Sequence, residues 1–216
     1  MPKSTYLHLS EQRKQDIKER IMDLFIKNPY ESVNIRDIAA HAGFSIGSFY
    51  KYFEDKDEMY LHFLTEVESK ISYSYQKSTL PKFIQYAFYP EFKQELNEKE
   101  YLFDQTWTNA PISVYYKFYF EGYCRKTLQF IVEDLKKLES ENKLKPGLDI
   151  DTCMFIISSS LFSLWIYLKQ NNLSQDLHHY LPYRTYLFKE IVLPSILSKE
   201  YYRDVEYMMT EENVKY

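Results

Sequence analysis

Cysteine and glycine are scarce in this sequence of 216 residues, which contains two cysteines and four glycines. Cys124 and Cys153 lie far apart and have no metal-ligand spacing, so we expect the compartment to be a reducing cytoplasm. A thiol sensor at Cys124 and a buried, inert cysteine both fit this count. Few β signals accompany the few glycines, and the pattern as a whole predicts an all-α fold.

Catalytic signatures are also missing. The sequence has no glycine-rich phosphate loop, no Gly-x-Ser-x-Gly motif and no His-x-x-x-His pair, the patterns that carry phosphate binding, acyl transfer and metal-dependent hydrolysis. The adjacent His178 and His179 have no further ligands beside them and make a poor metal site. We therefore predict a protein that is not an enzyme and needs no cofactor or metal.

We do not expect a segment of this sequence to cross a membrane. Its first residues lack the apolar stretch of a signal peptide. The stretch from Cys153 to Leu168 is apolar, but it is short for a membrane span and is interrupted by serines at positions 158, 159, 160 and 163. These features predict a cytoplasmic protein without a membrane partner.

A strongly basic composition is absent as well, since the formal net charge is −4. Residues 1–56 carry nine Lys and Arg against eight Asp and Glu, whereas the other 160 residues carry eighteen against twenty-three. The distribution of charge matters more than its total for nucleic-acid binding. DNA binding by the N-terminal part would depend on a local cluster and on hydrogen bonds, with a moderate salt dependence.

Residues 35–53, IRDIAAHAGFSIGSFYKYF, form the most specific pattern in the chain. Small and apolar side chains recur at the spacing that packs two short helices together. Gly43 lies where the chain must turn, because glycine enters the left-handed conformation without a Cβ penalty. Ala39 is small where the second helix crosses the first. The pattern predicts a helix-turn-helix, whose second helix enters a DNA major groove.

The second helix of this motif has two different sides. Ser45 is a good N-cap residue, so the helix begins at about Ile46. Because each residue turns the helix by about 100°, Phe49 and Phe53 share the buried side. The opposite side and its flanks carry residues that suit a close approach to DNA, namely Gly47, Ser48, Lys51, Tyr50 and Tyr52. Lys51 can donate to guanine O6 and N7, and the phenols can reach phosphates.

Capping signals precede and follow the motif. Asn34 comes directly before it, and Asp37 follows three residues later in the style of a capping box. Asp55 caps a further helix that begins at Lys56. There the lysine ammonium and the free backbone N–H groups could together hold a phosphate.

Residues 10–65 resemble the tetracycline-repressor (TetR) family of bacterial regulators. The resemblance rests on the apolar first helix, on the segment NIRDIAAHAGFSIGSFYKYFEDK that ends at Lys56, and on the apolar helix that follows. It implies an all-α homodimer whose N-terminal three-helix domains bind a palindromic DNA operator and whose larger C-terminal domains bind a small-molecule effector. It also implies DNA contacts at five positions: Asn34, where the family commonly has threonine, Ser45, Tyr50, Tyr52 and Lys56.

The rest of the sequence predicts helices at 56–77, 81–89, 91–106, 111–142, 150–171, 182–198 and 199–210. We expect a helix-turn-helix domain at 1–56 and an effector-binding and dimerisation domain at 57–216, joined by one long helix. Helix 150–171 is apolar almost all round and must be covered on most sides, by its own core or by a second subunit. The resemblance favours a four-helix dimer interface formed with helix 182–198, with Ser159, Phe162, Ser163, Ile166, Tyr186 and Leu187 as interface residues.

Aromatic side chains are dense between Trp107 and Phe130. They suit an apolar pocket with phenol groups for a flat organic molecule, although aromatics at helical spacing also form ordinary core. The candidate pocket residues are Trp107, Tyr116, Phe120 and Tyr123. The predicted function is a DNA-binding transcriptional regulator, a dimeric repressor released from its operator by a small apolar or aromatic effector. The alternative is a helical adaptor whose helix-turn-helix binds protein instead of DNA.

Overall fold

The computed structural model describes residues 2–72, 80–88, 93–94, 96–173 and 177–213. Its first helices are α1 (Ser4–Leu7), α2 (Glu11–Lys27), α3 (Ile35–Ala42), α4 (Ile46–Tyr52), α5 (Lys56–Glu68), α6 (Lys82–Phe88) and α7 (Glu98–Gln105). The others are α8 (Ile112–Phe120), α9 (Tyr123–Thr127), α10 (Gln129–Ser140), α11 (Ile150–Gln170), α12 (Leu177–Leu187), α13 (Leu193–Ile196) and α14 (Lys199–Asn213). Tight helical turns occupy Tyr30–Ser32 and Thr106–Asn109, and a π-helical turn occupies Phe188–Val192.

Two short strands accompany these helices. β1 (Ile71–Ser72) and β2 (Lys93–Gln94) pair in a two-stranded sheet. Each strand has only two residues, so the sheet does not change the class of the fold. The predicted all-α class is confirmed.

Side-chain caps and one glycine set the bounds of α2 to α4. The Ser10 hydroxyl accepts a hydrogen bond from the Arg13 backbone N–H and starts α2. Asn34 starts α3 with a reciprocal capping box, in which its side chain accepts from the Asp37 N–H and Asp37 accepts from the Asn34 N–H. Gly43 ends α3 at a φ of 69°, as the turn requires.

The chain divides into two compact units. The first contains Met1–Ser72 and Gln94–Tyr123, and the second contains Tyr73–Lys93 and Cys124–Tyr216. This division differs from the predicted boundary between residues 56 and 57, because α7 packs against α2 and α5, and α8 packs against α5, within the first unit.

Apolar and ionic contacts hold α7 to α2 and α5 in the first unit. The Tyr60 and Phe103 ring centroids lie 5.4 Å apart, and both side chains are fully buried. The Tyr60 hydroxyl is hydrogen-bonded to Thr106 at 2.8 Å. Lys99 forms an ion pair with Asp23 at 3.1 Å. These are long-range contacts, so residue spacing alone could not reveal them.

The second unit is built around the buried side of α11. Trp165 on this helix stacks on Tyr180 of α12, with ring centroids 4.9 Å apart. The backbone N–H of Phe83 on α6 donates to Asp134 of α10 at 2.7 Å, and the Phe83 ring lies 6.1 Å from that of Phe188. These contacts join α6, α10, α11 and α12 around one core.

Several predicted helices have different bounds in the structure. The predicted helix 56–77 ends at Glu68, where the Ser69 hydroxyl donates to the Glu66 carbonyl at 2.7 Å and competes with the helical pattern. Its residues 73–77 lie outside the described part of the chain, as do positions 89, 91, 92 and 95 of the next two predicted helices. The predicted helix 111–142 is divided into α8, α9 and α10. The break between α8 and α9 falls at Gly122, which adopts a φ of 92°, and a second break falls at Leu128.

The predicted helix 182–198 also differs. α12 begins earlier, at Leu177, and contains Pro182. A π-helical turn comes directly before Leu193 and Pro194, and α13 ends soon after them, at Ile196. Proline has no N–H to offer the preceding turn, which accounts for the change of helical path.

Both cysteines are free thiols in buried positions. Burial raises the pKa of Cys153 to about 11. The Ser158 hydroxyl donates to the sulfur of Cys124 at 3.7 Å. These surroundings are typical of inert cysteines rather than of reactive ones.

Candidate nucleic-acid interface

The inner side of α4 is fully buried. Phe49 and Phe53 have no exposed surface, as their spacing predicted. Their rings lie 5.9 Å apart, and Phe53 also contacts Phe63 of α5 at 5.9 Å. Full burial of two large rings fixes the rotation of α4, so the identity of its outer side is determined as well.

The outer side of α4 presents Gly47, Tyr50 and Lys51. Gly47 and Lys51 are exposed, and Tyr50 retains 49% of its accessible surface. Ser48 is half-buried beside them, with its hydroxyl 3.0 Å from that of Ser45. The structure thus brings these sequence-predicted residues to one surface.

Among the described residues, none packs against Gly47 closely enough to require a glycine. A Cβ atom added there would meet only the Ser45 hydroxyl, at an ordinary 3.7 Å. Gly43 differs, because its left-handed backbone excludes most side chains. The space in front of Gly47 is therefore open to a close partner outside the chain.

The two predicted N-caps are exposed at the starts of α3 and α4. The side-chain oxygen of Asn34 accepts from the Arg36 and Asp37 N–H groups at 2.9 and 3.1 Å. The Ser45 hydroxyl accepts from the Ser48 N–H at 3.0 Å. Both helices therefore begin at the surface, where their remaining N–H groups and positive dipole ends suit an anion such as phosphate.

Tyr52 lies on the flank of α4 and packs more than predicted. It is half-buried, and its ring lies 5.6 Å from that of Phe44 and 6.0 Å from that of Tyr6. This phenol therefore helps to hold α4 against its neighbours.

The Lys56 ammonium, predicted to help hold a phosphate, has two hydrogen-bond acceptors inside the first unit. Its ammonium donates to the carbonyl oxygens of Tyr30 and Val33 at 2.9 and 2.8 Å and lies 4.2 Å from the Tyr30 ring centroid. Burial lowers the pKa of Lys56. The side chain therefore fixes the turn before α3, and two of its three N–H donors are already used.

Lys117 of α8 binds the first turn of α5. Its ammonium forms ion pairs with Asp55 at 2.6 Å and Asp57 at 3.0 Å. Asp57 also accepts from the Tyr30 hydroxyl at 2.5 Å. Burial raises the pKa of Asp55, but hydrogen bonds from Lys117 and from the Glu58 backbone outweigh it and lower that pKa. This network ties α8 to the segment directly after α4.

The four predicted pocket residues do not share one lining. Trp107 is buried against Tyr115 and Phe118 on the inner side of α8, at centroid distances of 4.5 and 5.0 Å. Tyr116 and Phe120 contact each other at 5.4 Å on its exposed side. Tyr123 is buried at the start of α9. Tyr116 and Phe120 are four residues apart and share one face of α8, but that face is the outer one.

An exposed apolar stripe runs along α11. Phe155 and Tyr167 retain 63% and 46% of their surface. The predicted interface residues of this helix lie between them on the same side, and Ser159, Phe162 and Ile166 are half-buried while Ser163 is exposed.

A second stripe follows α12 and the π-helical turn. It consists of Tyr183, Tyr186 and Ile191, which are 39%, 65% and 49% exposed, with the half-buried Leu187 between them. Tyr183 contacts Tyr167 at 5.4 Å, so the two stripes are continuous.

Sequence reasoning missed several residues that position the helix-turn-helix. Arg13 of α2 donates to the carbonyls of Ala42 and Gly43 at 3.3 and 3.1 Å and supports the turn. Lys3 contacts the end of α4. The sequence offered one signal for the role of Lys117. This lysine is the single cation among adjacent aromatic side chains, and a cation in such a helix needs a partner. The partners of Lys117, Asp55 and Asp57, precede it by 62 and 60 positions and could not be identified from spacing.

A short helix held by buried phenylalanines, with an outer side of glycine, lysine and tyrosine, defines the protein as a helix-turn-helix DNA-binding regulator. Residues 17–63 match the model of the bacterial regulatory proteins, tetR family. The helix-turn-helix of this chain is that of the TetR family, and the resemblance seen in the sequence is confirmed. No curated protein sequence matches the chain.

Solved structures with a similar fold include a putative tetR family transcription regulator from Shewanella sp. PV-4, with 17% identity, 87% of this chain and 99% of that chain covered, and a TM-score of 0.47. TylP, a tetR regulator from Streptomyces fradiae, has 16% identity, coverages of 95% and 100%, and a TM-score of 0.47. SmeT, the repressor of the Stenotrophomonas maltophilia multidrug efflux pump SmeDEF, has 13% identity, coverages of 86% and 91%, and a TM-score of 0.45.

Proposed function

We propose that the protein is a cytoplasmic, homodimeric repressor that binds a palindromic DNA operator and is released from it by a small apolar or aromatic effector. The observation that carries DNA binding is the arrangement of α4, in which fully buried Phe49 and Phe53 oblige Gly47, Tyr50 and Lys51 to face outward. A glycine lets the backbone approach the duplex, and a lysine can donate to guanine.

The DNA contacts are proposed in two classes. Lys51 and Gly47 would face base edges in the major groove, whereas Asn34, Ser45 and Tyr50 would contact phosphates. Lys56 would add a phosphate contact only through the N–H that is not directed to the Tyr30 and Val33 carbonyls. Base contacts carry specificity, and phosphate contacts carry register and affinity.

The continuous stripes on α11 and α12 support a homodimer. Monomeric soluble proteins rarely expose apolar surface of this extent, and Phe155, Tyr186 and Ile191 are exposed together in the second unit. α11 is also long and apolar enough to cross a membrane by length and composition alone, and it is only partly buried within the protein. A second copy of the same stripe would cover its exposed side. A homodimer would also supply two α4 helices, which operator binding requires to be about 34–36 Å apart for successive major grooves.

The effector is proposed to bind beside the aromatic residues near Trp107. Trp107, Tyr115 and Phe118 form a buried aromatic cluster, and Tyr123 is buried at the end of the same unit. Such side chains favour flat apolar ligands. Intrinsic fluorescence offers a direct test, since the protein has two tryptophans and a Trp107→Phe variant would lose the ligand-dependent part of the signal.

A footprinting experiment with matched variants tests DNA binding. The wild-type protein should protect a palindrome near its own gene. Lys51→Ala should weaken binding to that site by about 1–3 kcal/mol and relax specificity at one base position. Lys136→Ala is the control, because Lys136 is an exposed helical lysine of the second unit. If the wild type protects no DNA site, the protein-binding adaptor becomes the better explanation. The same holds if Lys51→Ala leaves DNA affinity unchanged.

A further inference from the structure

The N-terminal residues pack against the C-terminal end of α4. Tyr6 of α1 retains only 2% of its accessible surface. Its ring centroid lies 4.9 Å from that of Phe53 and 6.0 Å from that of Tyr52. One buried aromatic side chain therefore anchors residues 2–9 to the helix that presents the proposed base contacts. We call residues 2–9 the N-terminal brace.

Lys3 satisfies carbonyl groups that α4 leaves without helical partners. The last carbonyls of any α-helix have no N–H within the helix to accept from. The Lys3 backbone N–H donates to the Tyr52 carbonyl at 2.8 Å, and its ammonium donates to the Tyr50 carbonyl at 3.0 Å. A cation at this end also interacts favourably with the helix dipole. One residue thus completes the last turn of a seven-residue helix.

The same ammonium pairs with Glu54, the first acidic residue after α4. The Lys3 nitrogen lies 2.9 Å from a Glu54 carboxylate oxygen, and the two side chains are 39% and 75% exposed. An ion pair this exposed contributes little to stability. The carbonyl contacts are therefore the part of the arrangement that can hold the backbone of α4 in place.

We propose that the N-terminal brace belongs to the DNA-reading unit and that Lys3 is a positioning residue for operator recognition. The proposal rests on the DNA-binding function proposed above. Tyr50 and Lys51 lie in the turn that Lys3 completes, so movement of this turn would displace Lys51 from the base edges. Lys3 would then affect discrimination between the operator and other DNA, without itself contacting phosphate or base.

Two Lys3 variants test the proposal. Lys3→Met keeps the length of the side chain and the backbone hydrogen bond to Tyr52 but removes the ammonium. It should weaken operator binding by about five- to tenfold and lower the ratio of operator to scrambled-duplex affinity by a similar factor. The slope of log affinity against log salt should stay within about 0.3 of the wild type, whereas a lost phosphate contact would remove about 0.9. Lys3→Arg should restore affinity, because a guanidinium can donate to the same carbonyl.

A second measurement needs no DNA. Amide hydrogen exchange at residues 51–54 should be faster in Lys3→Met than in the wild type and normal in Lys3→Arg, because the last turn of α4 loses a contact. The same comparison in a Glu54→Gln background separates the carbonyl contact from the ion pair. If Lys3→Met still speeds exchange in this background, the N-terminal brace is supported. If the effect disappears, it belongs to the Glu54 charge, and the proposed positioning role of Lys3 is overturned.

The outcomes distinguish this proposal from the function on which it rests. If the wild type binds no operator, the proposed function fails, and the exchange measurement still reports on the brace. If the wild type binds and Lys3→Met binds equally well, the positioning role fails alone. Equal losses on operator and scrambled DNA with a reduced salt slope would make Lys3 a phosphate contact and would also overturn it.

Discussion

Lys117 of α8 donates a hydrogen bond to Asp55, the residue that caps α5, with 2.6 Å between the Lys117 Nζ and an Asp55 carboxylate oxygen. The same ammonium neutralises Asp57, which in turn holds Tyr30. Burial lowers the pKa of Lys117, but hydrogen bonds to the two carboxylates outweigh it and raise that pKa. Two acidic groups in the first turn of α5 therefore depend on one cation from a helix far away in the sequence.

Replacing Lys117 by methionine should destabilise the folded protein by about 1–2 kcal/mol, since charge-assisted hydrogen bonds are lost and two like charges remain close. Urea denaturation at neutral pH measures this, with Lys136→Met as the exposed control. Because the folded-state pKa of Asp55 is lowered, its share of stability is present above the ordinary carboxyl pKa and is lost on acidification through the lowered value. Equal midpoints for both variants would contradict a stabilising role for Lys117.

Replacing Gly47 by alanine should change stability and DNA binding in opposite directions. A Cβ at this position makes only an ordinary contact inside the chain, so Gly47→Ala should stabilise α4 by roughly 0.5–1 kcal/mol through helix propensity. If the backbone approaches DNA closely here, the added methyl group should weaken operator binding by about five- to 150-fold, corresponding to ~1–3 kcal/mol of steric strain.

Thermal unfolding and operator titration of Gly47→Ala provide the two measurements. Lys136→Ala serves as the control, since it also places alanine on an exposed helical position. A variant that is more stable and binds DNA as tightly as the wild type would show that the glycine is not required by the duplex.

The helix-turn-helix could be predicted from the sequence because its determinants are local. The caps at Asn34 and Ser45, the left-handed Gly43 and the buried Phe49 all lie within twenty residues. Each of these residues acts on a turn close to it in the sequence, so residue spacing alone is enough to predict its role.

The surroundings of the motif could not be predicted in the same way. Lys56 has the sequence position of a phosphate ligand, but its ammonium is directed to carbonyls 26 and 23 positions earlier. α7 and α8 join the first unit through long-range contacts such as Tyr60 with Phe103. Gly122 was the one local signal for the division of helix 111–142, since it adopts a positive φ where the chain turns.

The exposed stripe on α11 predicts a dimer that a single charge can break. Ile166→Glu should raise the dimer dissociation constant at least about tenfold, since a carboxylate buried without a partner costs ~2 kcal/mol or more. Sedimentation velocity over a range of concentrations measures the change. Ile112→Glu is the matched control, because Ile112 is 47% exposed on α8, outside the stripe. A wild-type protein that is monomeric at about micromolar concentration would refute the interface.

Two acidic side chains in the first unit predict an unusual dependence of stability on pH. Burial raises the pKa of Asp104 to about 6. Burial and the neighbouring Asp104 charge raise the pKa of Glu68 well above its ordinary value. Because the folded state then binds these protons more tightly than the unfolded state, their contribution to stability is fully present below the ordinary carboxyl pKa. The contribution of Asp104 is lost as pH rises through about 6.

Asp104→Asn should therefore remove part of the decrease in stability that the wild type shows between about pH 5 and about pH 8, on the order of 1 kcal/mol or more. The asparagine keeps the shape of the side chain and cannot ionise, so the variant should gain stability relative to the wild type mainly at the higher pH. Urea denaturation at the two pH values measures the difference, with the exposed Glu121→Gln as the control. A wild type and an Asp104→Asn variant with parallel pH profiles would show that Asp104 ionises in the folded protein as it does in the unfolded chain.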